Sequence, residues 1–86
     1  MFYTYVLRSK KHGKLYIGFT TDLRERVKTH NAGSNTSTKA GVPWKLVYYE
    51  AFASEQDARE REVALKDFGR SYGQLKRRIK RSIDDV

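Results

Sequence analysis

The chain has 86 residues, 38% hydrophobic and 33% charged, with a formal net charge of +8, one proline and no cysteine. That length supports one domain with a small core and not two, and the apolar content excludes wholesale disorder. Lack of cysteine excludes a disulfide framework and a thiolate metal site, and no apolar run nears the roughly 20 residues of a membrane span.

Phe2 to Arg8 is dense in aromatic and β-branched residues and reads as a strand. A polar turn from Ser9 to Lys14 follows, and Leu15 to Phe19 reads as a second strand, so the two should pair as an antiparallel hairpin. Alternation puts Tyr3, Tyr5 and Leu7 on one face of the first strand. In the second, Tyr16 and Gly18 share a face, with Leu15, Ile17 and Phe19 on the other. The register between them stays open. Thr20-Thr21-Asp22 starts a helix, with Asp22 and Glu25 spaced like a variant capping box. Leu23 and Val27 are its apolar pair, Arg26 borders that stripe, and His30 lies one turn beyond Arg26 on the same face. The helix should end near Asn31-Ala32-Gly33.

Gly33 to Pro43 is a polar loop, long for so small a domain, with Lys39 its only charge. Trp44 to Phe52 reads as a third strand. Ser54 should cap a helix running to about Phe68, with Glu55 and Asp57 in its favourable first turn. Ala58, Leu65 and Phe68 form the apolar stripe of that helix, Glu62 falls inside the stripe, and Gly69 is the expected stop. A last helix over about 71–83 sets Leu75, Ile79 and Ile83 on one side, with Lys76, Arg77, Arg78, Lys80 and Arg81 around the rest. The expected architecture is one mixed α/β (α+β) domain over residues 1–86, a three-stranded antiparallel sheet flanked by helices.

The positive charge is unevenly spread. Residues 1–49 carry nine basic and two acidic side chains, 50–69 three and six, and 70–86 six and two. A basic chain with an acidic inset suits a polyanion binder, although a solubilising surface has the same look. Three features carry potential chemistry. A carboxylate within an apolar stripe costs stability unless compensated, so Glu62 is at a pocket rim, paired to a cation, bound to metal, or simply at the helix surface. Arg26 and His30 share the border of a buried face, which also fits a solvated arginine and a helix-terminal histidine. Tyr5 and Tyr16 stand in adjacent strands, where cross-strand tyrosines often only pack.

Together these residues resemble the GIY-YIG endonuclease superfamily. Tyr16-Ile17-Gly18 is the second half of its signature as spelled, and Tyr5 stands where the tyrosine of the first half belongs, with ten residues between the two tyrosines. The first half is degenerate, since Tyr3-Thr4-Tyr5 keeps only its last residue. Gly18-Phe19-Thr20-Thr21-Asp22-Leu23-Arg24-Glu25-Arg26 is similar to the stretch that follows the motif, and His30 falls where members carry His or Tyr. Ala58-Arg59-Glu60-Arg61-Glu62-Val63-Ala64-Leu65-Lys66 resembles the segment that delivers the family's metal-binding glutamate, placing it at Glu62. Phe19 departs from the lysine found there in excinuclease-type members. No asparagine follows the glutamate helix. The size resembles small stand-alone bacterial proteins related to the N-terminal nuclease domain of an excinuclease.

The resemblance implies metal-dependent hydrolysis of DNA phosphodiesters, structure-selective and serving repair, recombination or turnover. Arg26 would stabilise charge on phosphoryl oxygens, its fixed donor fork matching them. Glu62 would hold one ion, Mg2+ or Mn2+, with waters and substrate oxygens completing the shell. Tyr16 is the expected base with Tyr5 orienting it, and His30 is the competing base or a phosphate donor. Gly18 would let a phosphate or side chain approach the strand closely. Loop residues Ser34, Asn35, Thr36, Ser37 and Lys39, with Lys76, Arg77, Lys80 and Arg81, would contact phosphates, which position a polyanion without reading its sequence. The expected partner is nucleic acid, DNA ahead of RNA, with room for a larger repair protein; no membrane is involved, and the chain would be a cytoplasmic monomer or weak dimer. The competing readings are a nucleic-acid-binding module of weak or no activity, and a component inert until docked to a larger protein.

Overall fold

Aromatic and β-branched density makes Phe2–Ser9 the middle strand of the computed structural model, which describes residues 1–84. This strand, β1, pairs antiparallel with β2 (Leu15–Thr20) on one side and β3 (Trp44–Phe52) on the other. The expected three-stranded sheet is present, and its register sets Tyr5 opposite Gly18 and Leu7 opposite Tyr16. Asp85 and Val86, the last residues of the expected domain, lie outside the described residues.

Helices cover both faces. Helix α1 (Leu23–Asn31) packs Leu23 and Val27 against Tyr5, Leu7 and Trp44. Its cap is half the expected box: Asp22 Oδ1 accepts the Glu25 amide at 3.1 Å, while the Asp22 amide donates to Thr20 Oγ1. On the other face, α2 (Glu55–Lys66) and α3 (Arg70–Arg78) bury Leu65 and Leu75 against Val6 and Ile17. Ser54 caps α2 through the Asp57 amide, and Thr4 Oγ1 donates to Ala58 O at 2.6 Å, tying the helix to β1. A second tie joins α2 to β3, where Arg61 grips both Glu50 oxygens at about 3 Å and the Tyr48 hydroxyl donates to the same carboxylate. A bulge opposite Val6 and Leu7 turns both Val47 and Tyr48 toward the α2–α3 cluster, which strict alternation would have split.

Three boundaries differ from the sequence reading. Helix α2 ends at Lys66, and the left-handed turn falls on Phe68 (φ +56°), not on Gly69, which caps α3. Phe68 is accordingly 62% exposed and leaves the apolar stripe assigned to it. The single helix expected over 71–83 is divided at Ile79 into α3 and the short α4 (Lys80–Asp84), although Leu75, Ile79 and Ile83 do share the core-facing side. The 33–43 loop is latched: the Trp44 indole donates to Thr38 O at 2.8 Å, and the Asn31 side chain bonds both backbone groups of Trp44. No helix among the described residues is long and apolar enough to cross a membrane.

Candidate active site

The four elements around β2 converge on an open cleft of about 470 Å3, lined by Tyr5 from β1, Tyr16 and Gly18 from β2, Arg26 from α1, and Arg59 and Glu62 from α2. Five residues singled out in the sequence therefore meet, although they span 58 positions of chain from Tyr5 to Glu62.

Gly18 makes the first of these meetings. A Cβ on Gly18 would stand 2.5 Å from Tyr5 Cζ and 2.9 Å from Cε1, closer than real Cβ atoms come. The space over the glycine is thus filled by the Tyr5 ring, so the close approach foreseen for a phosphate or side chain is made by a side chain.

Behind the cleft runs a buried polar chain. Tyr5 Oη lies 2.8 Å from His30 Nε2, and His30 Nδ1 lies 2.8 Å from Thr38 Oγ1. One proton arrangement uses every donor: the Tyr5 phenol donates to Nε2, Nδ1–H donates to Thr38, and the Thr38 hydroxyl points to Asn35 O at 3.4 Å. Burial pushes the Tyr5 phenol well above its ordinary value; the neighbouring Tyr16 and Glu62 add to the rise, and Arg26 opposes it. Burial first, and Arg26 second, hold His30 below its ordinary 6.5. Tyr5 therefore stays a protonated donor and His30 a neutral imidazole. With no exposed surface and both ring nitrogens engaged, His30 meets the cleft through Tyr5 and not directly.

Tyr16 is packed edge-on to His30, with ring centroids 5.0 Å apart, and the Lys66 ammonium lies 5.8 Å from the Tyr16 ring centre. That same ammonium is 2.8 Å from Glu62 Oε2. Glu62 thus lines a cleft and is paired to a cation at once, its side chain 17% exposed. Among the described residues no three His, Asp or Glu side chains converge as a ready metal cage. A lone half-buried carboxylate opening onto a cleft fits one hard divalent ion whose other positions are filled by water and phosphate oxygens.

Arg59 and Lys66 escaped the sequence reading. The Arg59 guanidinium lies 4.0 Å over the Phe19 ring and bonds Glu55 at 2.8 Å. A cation therefore reaches the neighbourhood of position 19 from α2, although Phe19 itself is uncharged. The available signal was spacing, since Arg59 and Lys66 stand at i−3 and i+4 from Glu62 on the same helix face. Lys39, Lys76, Arg77, Lys80 and Arg81 do not line the cleft. Lys39 belongs to the short 3-10 turn before β3, and the other four lie on α3 and α4, where Lys80 is paired to Asp84 at 2.6 Å.

The model of the GIY-YIG catalytic domain family matches residues 1–80. A UPF0213 protein of Streptococcus pneumoniae is 45% identical over 65 residues, which cover 74% of this chain and 65% of that protein. One from Staphylococcus haemolyticus is 42% identical over 69 residues, covering 79% and 83%. The solution NMR structure of the UPF0213 protein of Bacillus halodurans aligns with a TM-score of 0.53 and 34% identity over 87% of this chain and 81% of that one. With the paired tyrosines, the arginine and the glutamate gathered on one cleft and the family model spanning residues 1–80, this chain belongs to the GIY-YIG family of nuclease domains.

Proposed function

We propose that the chain is an endonuclease that hydrolyses DNA phosphodiester bonds with one Mg2+ or Mn2+ held at Glu62. The observation that carries this is the convergence of Tyr5, Tyr16, Arg26 and Glu62 on a single cleft from four separate elements. The ion, when bound, supplies charge neutralisation at the phosphate and the leaving oxygen.

Roles for the protein groups follow from what each is free to do. Arg26 is exposed at the cleft and permanently charged, so it stabilises the negative charge that accumulates on the nonbridging oxygens. Tyr5 is committed to His30 and held protonated, which removes it as a base, and His30 is sealed from the cleft. Tyr16 is left as the base: its phenol first yields its own proton to solvent, the phenolate oxygen then takes the proton of the attacking water as the P–O bond to the leaving group breaks, and the leaving oxygen departs as an alkoxide that solvent protonates. His30 and Thr38 act through Tyr5 as positioning residues. Phosphate contacts from Lys39 and from Lys76, Arg77, Lys80 and Arg81 would hold the polyanion without reading its sequence, which favours structure-selective cleavage in repair, recombination or turnover. A cytoplasmic monomer or weak dimer is consistent with this use.

One observation favours a second reading, a nucleic-acid-binding module without catalysis: Glu62 is already paired to Lys66 and needs no metal to be satisfied. A cleavage assay separates the two. Labelled single-stranded, duplex, flap and branched DNA are incubated with Mg2+ or Mn2+ and the wild-type, Arg26→Ala or Glu62→Gln protein. Metal-dependent cutting that disappears in both variants, with binding only modestly weaker in Arg26→Ala, supports the nuclease. Intact substrates beside folded, DNA-binding protein would establish the module instead.

A further inference from the structure

Beyond the cleft, an aromatic corner at the junction of α2 and α3 stands outside both the core and the site. Phe68 is 62% exposed and sits at φ +56°, a conformation that is strained for a bulky side chain and free for glycine. Its ring meets the Tyr72 ring edge to face, with centroids 4.9 Å apart at 87°. Tyr72 is anchored, being packed against the Leu65–Leu75 cluster, and the Lys76 ammonium lies 4.9 Å from its ring centre. The backbone thus spends conformational energy to hold an apolar ring upright in water, with an anchored tyrosine and a cation beside it.

We propose that Phe68 and Tyr72, with Lys76, form a stacking platform for an unpaired base of single-stranded nucleic acid beside the cleft. The inference rests on the nucleic-acid reading above and extends it to the form of substrate. Charge selects the occupant: α3 carries Arg70, Lys76, Arg77 and Arg78 and no carboxylate, which matches a phosphate backbone. Exposed rings interleaved with cations are how proteins take up single strands, since every unpaired base offers a π-face whatever its identity. Bases in a duplex are already stacked on each other and gain nothing from the ring. Phe68 lies six residues beyond Glu62: four within α2, about 6 Å at the helical rise, and two past its end, which add at most about 7 Å. A strand with its scissile phosphate in the cleft therefore has a base one or two nucleotides away within reach.

The test uses metal-free protein in EDTA at fixed salt, so that binding is read without cleavage. Fluorescence anisotropy compares a labelled oligothymidine with a duplex of equal length for wild type, Phe68→Gly and Phe68→Trp. Glycine is the informative replacement because it relaxes the backbone as it removes the ring, and a retained thermal transition confirms the fold. We expect Phe68→Gly to bind the single strand about tenfold more weakly, to bind the duplex unchanged, and Phe68→Trp to restore single-strand affinity. Equal losses on both forms, or none on either, overturn the platform while leaving the nucleic-acid reading standing. Failure of the wild-type protein to bind either form sinks both. A change of sedimentation coefficient in Phe68→Gly without a change in single-strand affinity would make the corner a contact between copies of the chain and also overturns the proposal.

Discussion

A methyl group at position 18 would disturb the seat on which the site is built. The added Cβ would lie 2.5 Å from Tyr5 Cζ, whereas carbons in contact sit about 3.5–4.0 Å apart, so the ring must retreat by roughly 1 Å. Tyr5 has no room to retreat, being 1% exposed and fixed at its hydroxyl by His30 at 2.8 Å. Overpacking of this kind costs about 1–3 kcal/mol. Breaking the Tyr5–His30 bond leaves a buried imidazole nitrogen unpaired, at about 1–3 kcal/mol more. Partial relaxation should leave Gly18→Ala destabilised by about 2–4 kcal/mol. At about 4–8 °C per kcal/mol for a domain of this size, the melting temperature falls by about 8–32 °C. Urea and thermal denaturation measure the loss, and the His30 ring resonances report the broken bond. Tyr5→Phe supplies a second arm: its cost should shrink in the Gly18→Ala background, where the bond it removes is already gone. A loss within about 0.5 kcal/mol, with His30 resonances unmoved, would refute the idea that Gly18 seats Tyr5.

The buried neutral His30 makes stability depend on pH. Its folded value is lowered, so below about 6.5 the unfolded chain takes up a proton that the folded chain refuses, and stability falls as pH falls. Urea titrations through that window should show a slope of at most about 1.4 kcal/mol per pH unit from this group, absent in His30→Gln; an equal slope in the variant refutes the assignment. Leu65 has no exposed surface and lies among Val6, Ile17, Leu75 and Ile79, so Leu65→Ala should cost about 2–5 kcal/mol in chemical denaturation, and a loss below about 1 kcal/mol would mean the cluster collapses around the gap. Lys66 competes with any ion at Glu62, and a part-exposed pair of this kind is worth up to about 1 kcal/mol, so Lys66→Gln should tighten Mg2+ binding up to about fivefold in an NMR titration. Weaker binding in that variant would argue that the lysine helps to hold the ion's ligands.

Local chemistry was legible in the sequence wherever the signal was local. Alternation and β-branching gave the hairpin and Trp44–Phe52, and side-chain oxygens of Asp22 and Ser54 gave both helix starts, because strand pleating and amide capping involve only near neighbours. Helix ends were less legible: Gly69 is the expected stop of a helix running to about Phe68, yet α2 ends at Lys66 and Phe68 takes the left-handed turn. Spacing also marked Tyr5, Tyr16, Arg26 and Glu62, but not what each touches. The register that sets Tyr5 over Gly18, the burial that keeps its phenol protonated, and the closing of Lys66 onto Glu62 are decided between segments remote in the chain. His30 shows the difference most clearly. Helical spacing sets it beside Arg26, but only packing against Tyr5 and Thr38 decides that one of the pair faces the cleft and the other is sealed behind it. A residue's type and spacing follow from its own stretch of chain, whereas its solvation and charge state depend on which distant segments fold against it.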